Sequence, residues 1–208
     1  MPQKRLAVSC LIFSMFALAE SPTQIDAGKT TAGVFESTFF HFRYELPKGW
    51  FALDDKVRIA DNEKRYEAAA QETLEKQGPS TPAHTTSTVV PYSLLLASRT
   101  AVTASDARPL PRIAIQADEQ TVMMSAAGDP AKMILDVVKP KVLRGPEDVV
   151  IAGHKFVRAD FQMKLGSFLS KFVTVNGDYL IEFDLRADNE KDLAELTKSM
   201  ESLQFSDH

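Results

Sequence analysis

Cysteine is almost absent from this chain of 208 residues, because Cys10 is the only one. Cys10 lies inside an N-terminal apolar run that has the features of a removable leader. Without Cys10, the remaining chain can form no disulfide, no thiolate metal site and no cysteine nucleophile. Its core must therefore stabilise it unaided, and residues 20–208 are numerous enough for one domain with such a core.

Long apolar runs are also lacking, since the run at 6–19 is shorter than the roughly 20 residues that span a bilayer. Lys4 and Arg5 precede this run, and small residues end it at Ala19, which is the pattern of a secretory signal peptide. We predict that residues 1–19 are a signal peptide, that the chain is periplasmic or secreted, and that it has no stable membrane insertion after cleavage. The alternative is an uncleaved membrane anchor.

Basic residues are in the minority. Removal of Lys4 and Arg5 with the leader leaves 22 basic against 28 acidic residues, a formal charge of −6. An acidic chain is repelled by phosphate backbones and by anionic lipid. This balance argues against nucleic acid as a partner and against nonspecific binding to anionic lipid.

Familiar catalytic motifs are missing: the chain has no phosphate loop, dinucleotide loop, H-E-x-x-H pair or G-x-S-x-G. We predict no catalytic, cofactor-binding or metal-binding residues and no cofactor. Glu182 and Asp184 are spaced as glycosidase carboxylates can be, but Lys171 is expected to neutralise one of them, so ordinary paired charges are favoured. The histidines share no metal-ligand spacing: His41, His84, His154 and His208.

The stretch FFHFRYELPKGW alternates apolar and polar side chains from Phe40 to Leu46, which predicts a strand with one buried face. Pro47 ends the hydrogen bonding of this strand, and Gly49 permits a tight bend. Trp50 is then expected to fold back over the apolar side of the strand. The corner is therefore interpreted as a marker of the fold and not as a site.

A helix is predicted to begin at Asn62 as its cap and to end before Gly78. Its apolar positions are Tyr66, Ala69, Ala70 and Leu74. The segment 78–91, rich in Pro, Ser and Thr, predicts a flexible surface loop. His84 at its centre is interpreted as a solvated side chain, with a metal or catalytic role as the alternative.

Two strand-like runs at 92–102 and 111–119 predict a hairpin. A second helix is predicted over 129–140, where Asp129-Pro130 supplies a cap and a proline at the first helical position. Met123 and Met124 precede it. Core filling is the favoured interpretation of these two side chains, and the lining of a ligand mouth is the alternative.

The last third of the chain has the clearest periodicity. The run at 153–164 alternates four apolar residues inward: Val157, Ala159, Phe161 and Met163. Asn176-Gly177 favours a type I′ hairpin turn, which would place Lys171 opposite Glu182. The same register would pair Thr174 with Tyr179, Phe172 with Ile181 and Ser170 with Phe183.

A final helix is predicted to begin after Asp188 or Asn189 as its cap. Its apolar residues lie on one face and should pack on the sheet: Leu193, Leu196, Met200 and Leu203. The predicted elements belong to the α+β class, with an antiparallel-dominated central sheet of about five to seven strands flanked by about three helices.

The residues from Phe42 to Trp50, the closing pattern at 177–183 and the end at 202–205 resemble the PsbP-like superfamily. The resemblance covers about residues 38–205 and implies an α/β/α sandwich, preceded by a disordered lead-in at 20–37. The superfamily includes an extrinsic photosystem II subunit, a Ran-binding nuclear transport factor and exported bacterial proteins of unknown role. It therefore implies a fold and does not name an activity.

Two functions remain open at this level. The favoured one is a noncatalytic exported domain that binds a protein or an envelope component. The other is a small-ligand carrier or hydrolase with a site near 78–91 and Met123-Met124. A deep pocket with convergent polar groups would favour the second function, whereas a filled interior with an exposed apolar patch would favour the first.

Overall fold

Within residues 25–77, 90–101, 110–119 and 141–206, which the computed structural model describes, the chain forms eleven strands and two α-helices. The helices are α1 (Asp55–Gln77) and α2 (Glu190–Thr197), and a 3₁₀ turn (Lys198–Ser202) follows α2. The strands are β1 (Lys29–Thr31), β2 (Val34–Ser37), β3 (Phe42–Glu45), β4 (Phe51–Ala52), β5 (Tyr92–Ser98), β6 (Arg112–Glu119), β7 (Lys141–Ile151), β8 (His154–Gln162), β9 (Phe168–Asn176), β10 (Tyr179–Ala187) and β11 (Gln204–Phe205).

The strands form two sheets in which all neighbours are antiparallel. The small sheet has the order β1-β2-β3-β11, and the large sheet has the order β4-β5-β6-β10-β9-β8-β7. The α+β class and the β5–β6 hairpin are confirmed, but the small sheet was not predicted. The described residues contain two helices and not about three, and the helix predicted at 129–140 falls outside them.

Residues 29–37, predicted as the end of a disordered lead-in, instead form the hairpin β1–β2. Ala32 and Gly33 have φ values of 51° and 80°, the pair of left-handed residues that a type I′ turn needs. Phe35 in β2 is fully buried, with its ring centroid 5.8 Å from that of Phe42. Burial of one large aromatic ring stabilises this otherwise polar segment, an effect that average composition does not reveal.

The main core lies between the small sheet, α2 and the face of the large sheet that we call the inner face. Phe183 of β10 lies at its centre, with ring centroids 5.8 Å from Phe42, 6.2 Å from Tyr44 and 5.9 Å from Phe156. These tilted and edge contacts add to the hydrophobic stabilisation. The predicted burial of Phe40, Phe42 and Tyr44 is confirmed.

The opposite face of the large sheet, the outer face, carries a second buried cluster: Val157, Ala159, Phe161, Leu169, Val173 and Leu180. The predicted alternation along β8 is thereby confirmed, with Met163 partly buried. Phe156, on the other side of β8, is fully buried in the main core. Strand β8 is therefore covered on both faces.

The β9–β10 hairpin has a two-residue loop, but its register differs from the predicted one by two residues. Asn176 pairs with Tyr179, so that Gly177-Asp178 forms the loop. Gly177 has φ 57° while Asp178 lies outside the left-handed region, a pattern of the type II′ turn. The side chain of Asn176 donates to the carbonyl of Phe40 at 2.9 Å. This contact with another part of the chain holds Asn176 within its strand.

As a consequence, Lys171 lies opposite Asp184, and Phe172 lies opposite Phe183. The predicted partners, Glu182 and Ile181, are therefore wrong. Because the shift is an even number of residues, every side chain keeps its predicted face of the sheet.

Helix α1 begins at Asp55 and not at the predicted Asn62. Asp54 is the cap, since its Oδ1 accepts hydrogen bonds from the backbone nitrogens of Lys56 at 2.9 Å and Val57 at 3.3 Å. The sequence DDK at this point has a good capping residue but no apolar run behind it. The periodicity therefore did not mark the start.

The buried face of α1 is polar, which the prediction of an apolar face missed. Arg58 and Asn62 are each 1% exposed, whereas Tyr66 and Ala70 are exposed. The amide of Asn62 donates to the carbonyl of Ser93 and accepts from its backbone nitrogen. A polar residue can occupy a core position when it satisfies strand groups in this way.

Helix α2 forms as predicted. Asn189 is the cap, and its Oδ1 accepts from the backbone nitrogen of Asp192 at 2.9 Å. The four predicted apolar side chains are buried in the main core: Leu193, Leu196, Met200 and Leu203. No helix in the described ranges combines the length and the apolar composition needed to cross a membrane.

Candidate functional site

A charge cluster lies on the outer face of the large sheet. Lys171 of β9 and two residues of β10, Glu182 and Asp184, share this face by register. The Lys171 ammonium bonds to the Glu182 carboxylate and lies 3.0 Å from Oδ1 of Asp184. Asp118 of β6 lies on the same face, opposite Leu180. Two carboxylates thus share one buried ammonium group, and a third lies on the same face.

Asp118 is 9% exposed, and its Oδ1 has no hydrogen-bond partner in the described part of the chain. Burial, together with the negative charge of Glu182, raises the pKa of Asp118 to about 6, while Lys171 partly opposes the increase. Burial and the charge of Asp118 also raise the pKa of the Tyr66 phenol. Asp118 is therefore ionised near neutral pH at a cost to the folded state.

The charge cluster does not have the form of an acid–base pair. Burial lowers the pKa of Lys171, but Asp184 and Glu182 outweigh it, and the net pKa is raised. Lys171 therefore stays charged and holds both carboxylates of the pair. A glycosidase needs one protonated acid and one free carboxylate. The expectation of ordinary paired charges is the better description of Glu182 and Asp184.

Asp118→Asn should stabilise the protein by about 1–3 kcal/mol above pH 7. The pKa of Asp118 is higher in the folded state than in the unfolded state. The protonated Asp118 carboxyl therefore contributes its full stability below about pH 4, and this contribution is lost as the pH rises through about 6. Urea unfolding of both proteins between pH 4 and 8 measures the difference, which should approach zero at the acidic end. Glu119→Gln, at the exposed neighbour, is the control. A stability difference between Asp118→Asn and the wild type that does not change with pH would contradict the raised pKa of Asp118.

No three His, Cys, Asp or Glu side chains among the described residues lie close enough together to hold a metal ion. His154 stacks on Phe205, with ring centroids 3.8 Å apart. His41 precedes β3 in a turn, with φ 53°. His84 and His208 fall outside the described residues, as do the leader, the segment 78–89 and Met123-Met124.

The predicted corner at Trp50 is a tight turn. The backbone nitrogen of Trp50 donates to the carbonyl of Pro47 at 3.1 Å, and Gly49 adopts φ 81°. The Trp50 ring is partly buried and packs against the main core. The interpretation as a fold marker is the better one for this corner.

An open groove of about 420 Å³ lies on the inner face of the large sheet near its β7 edge. There the sheet meets the end of α2 and the segment that follows it. Its lining is largely apolar and includes Val149, Ile151, Phe172, Met200 and Leu203. Thr197 and Glu201 also line it. Of two other open grooves, the one of about 430 Å³ is lined mainly by polar residues such as Glu36, Arg43 and Gln204, and the one of about 290 Å³ includes Asp54 and Asp55. We call the groove of about 420 Å³ the strand groove.

Arg158 places a guanidinium group of fixed orientation in the strand groove. Its guanidinium carbon lies 5.1 Å from the ring centroid of Phe172. Its Nε and Nη2 donate to the two carboxylate oxygens of Asp160 at 3.0 and 2.9 Å. Ser170 also donates to Asp160. The bidentate pair and the stacking hold the guanidinium in one orientation.

Sequence reasoning missed the strand groove because its walls come from distant segments. The only signals were the alternation of β8, which placed Arg158 on the side opposite Val157, and the apolar positions Met200 and Leu203. Both were interpreted as packing. The pairing of β8 with β7 brings Val149 and Ile151 to the same place.

No family model and no curated protein matches the chain. Among solved structures it is similar to the solution structure of cyanobacterial PsbP (CyanoP) from Synechocystis sp. PCC 6803. The match has 13% sequence identity and a TM-score of 0.46, and it covers 89% of this chain and 100% of that chain. A likeness at this level names no activity for this chain.

Proposed function

We propose that this protein is an exported, noncatalytic domain, a PsbP-like α/β/α sandwich, that binds a protein partner in the strand groove. The observation that carries the proposal is the groove itself, which is open and largely apolar and is lined in part by the fixed guanidinium of Arg158. Apolar surface with a few oriented polar groups is typical of the centre of a protein interface.

The charge cluster supports the noncatalytic part of the proposal. Glu182 and Asp184 share one ammonium, so neither is available as an independent acid or base. The groove has no paired nucleophile and base among its described lining residues. Binding therefore accounts for its composition better than catalysis does.

Site-specific photo-crosslinking in the producing cell tests the groove. A benzophenone residue replacing Glu201, at the groove wall, should give a discrete adduct with one protein. The same residue replacing Glu195, exposed on α2 outside the groove, is the matched control. Thr197→Trp, which fills the groove, should lower the adduct yield from position 201 at least about tenfold. Equal yields from positions 201 and 195 would contradict the proposal.

A further inference from the structure

A second surface lies at one end of the large sheet, away from the groove walls. It consists of the start of β7 and the turn between β8 and β9. We call it the basic tip, and its residues are Lys141, Val142, Leu143, Arg144, Lys164 and Leu165. The two segments are neighbours because Lys141 pairs with Gln162 at the end of β8.

The turn presents Leu165 rigidly. Met163 and Ser167 close a three-residue loop, with the Met163 nitrogen donating to the Ser167 carbonyl at 2.7 Å. The Gly166 nitrogen donates back to the Met163 carbonyl at 2.9 Å, and Gly166 has φ 86°. This is the common three-residue hairpin with glycine in the left-handed position. Leu165 therefore stands at a convex apex that any polar residue could fill equally well.

The apolar side chains of the basic tip are unusually exposed. Leu165 is 99% exposed, Val142 46% and Leu143 39%. Single exposed apolar residues are ordinary, but here three occur on two neighbouring segments. Lys164 lies beside one of them in sequence, and Lys141 and Arg144 flank the other two.

Among the residues that the structure describes, the charge at this end of the sheet is positive although the whole chain is acidic. Arg99, Arg112 and Arg186 lie at the ends of β5, β6 and β10, on the same side as the basic tip. Among the described residues, these six basic side chains are accompanied by four acidic ones: Glu147, which pairs with Arg144, Asp160, which pairs with Arg158, and Asp188 and Glu190. Lys141 and Lys164 form no ion pair with another described residue.

The opposite end of the sheet carries Glu119 and Asp178. The nine residues of β10 separate the two ends by roughly 27 Å, at about 3.4 Å per step. The Debye length at physiological salt is about 8 Å, so charges at the far end are screened at the basic tip. The local positive charge, and not the net charge of the chain, decides what the basic tip attracts.

We propose that the basic tip docks peripherally on an anionic lipid surface. Cationic side chains would contact the headgroups, and Leu165 would enter the boundary between headgroups and acyl chains. A convex apex with one projecting leucine suits a deformable lipid surface, whereas a protein interface requires a matched concave site. The groove would then face a partner protein while the basic tip holds the domain at the membrane.

Vesicle sedimentation tests this proposal. The processed chain, purified after export with its N-terminus verified by mass, is mixed with vesicles of equal parts phosphatidylglycerol and phosphatidylcholine, or of phosphatidylcholine alone. Binding should require the anionic lipid and should weaken with salt. Lys164→Gln and Lys141→Gln should each lower the partition coefficient about fivefold. Leu165→Ser should lower it about tenfold.

Matched controls lie at the opposite end of the sheet. Lys155→Gln and Val175→Ser change an exposed lysine and a 51% exposed valine there, and both should bind like the wild type. Equal losses from these controls would overturn the proposal. An absence of wild-type binding to anionic vesicles would also overturn it and would leave an acidic protein surface as the occupant of the basic tip. The groove plays no part in these measurements, so they are independent of the crosslinking result.

Discussion

Arg58→Ala should lower the free energy of unfolding by about 3–5 kcal/mol, although the adjacent positions on the same helix face are polar: Asp54, Asp55, Asp61 and Asn62. The Arg58 side chain is 1% exposed. Its Nη1 donates to the carbonyls of Ala27 at 2.7 Å and Ser93 at 3.0 Å. Its Nη2 donates to the carbonyl of Gly28 at 3.1 Å and to Asp55 at 2.9 Å. Truncation leaves three carbonyls and a carboxylate without this donor.

Arg58→Lys should lose nearly as much stability, because an ammonium cannot reproduce the planar fork that reaches acceptors on three segments. Lys64→Ala is the control on the same helix. Lys64 is exposed to solvent, so the loss should stay below about 1 kcal/mol. Urea unfolding measures all three variants. An Arg58→Ala protein within 1 kcal/mol of the wild type would show that these hydrogen bonds contribute little.

Lys171→Met should also cost about 3–5 kcal/mol at neutral pH, because it leaves Glu182 and Asp184 facing each other without their shared counter-charge. Lys171 is 7% exposed, so water cannot replace the ammonium fully. Asp118 adds a third negative charge to the same face.

A combined variant separates charge from packing. Lys171→Met with Glu182→Gln and Asp184→Asn should recover most of the lost stability, since a neutral cluster has no uncompensated buried charge. Lys155→Met, which removes the exposed pair with Asp148, is the control and should lose less than about 1 kcal/mol. Urea unfolding at pH 7 is the measurement. A combined variant as unstable as Lys171→Met alone would contradict the electrostatic explanation.

Predictions from local pattern succeeded where side-chain periodicity determines the outcome. Alternation identified the buried faces of β3 and β8, and the Asn189 cap with its apolar stripe identified α2. Even the hairpin register was wrong only by two residues, so the faces were right. Side-chain periodicity and helix caps depend on residues only a few positions apart, so they can be recognised in a single sequence.

The failures share a different cause. The start of α1 was misplaced because its buried face is held by Arg58 and Asn62, whose acceptors lie on β5 and on the segment before β1. The hairpin β1–β2 was missed because Phe35 is stabilised by a ring on another strand. A polar or irregular segment is ordered by such contacts only after the chain has folded.

The sequence by itself determined the antiparallel α+β class, the buried faces of the strands and the cap of the last helix, since these depend on neighbours within a few positions. The tertiary structure decided the register at Asn176, the burial of Arg58, the charge cluster around Lys171, the strand groove and the basic tip. Each of these depends on atoms from segments far apart in the chain. Their proximity is set by sheet pairing and packing, and the local periodicity of apolar residues does not specify either of these.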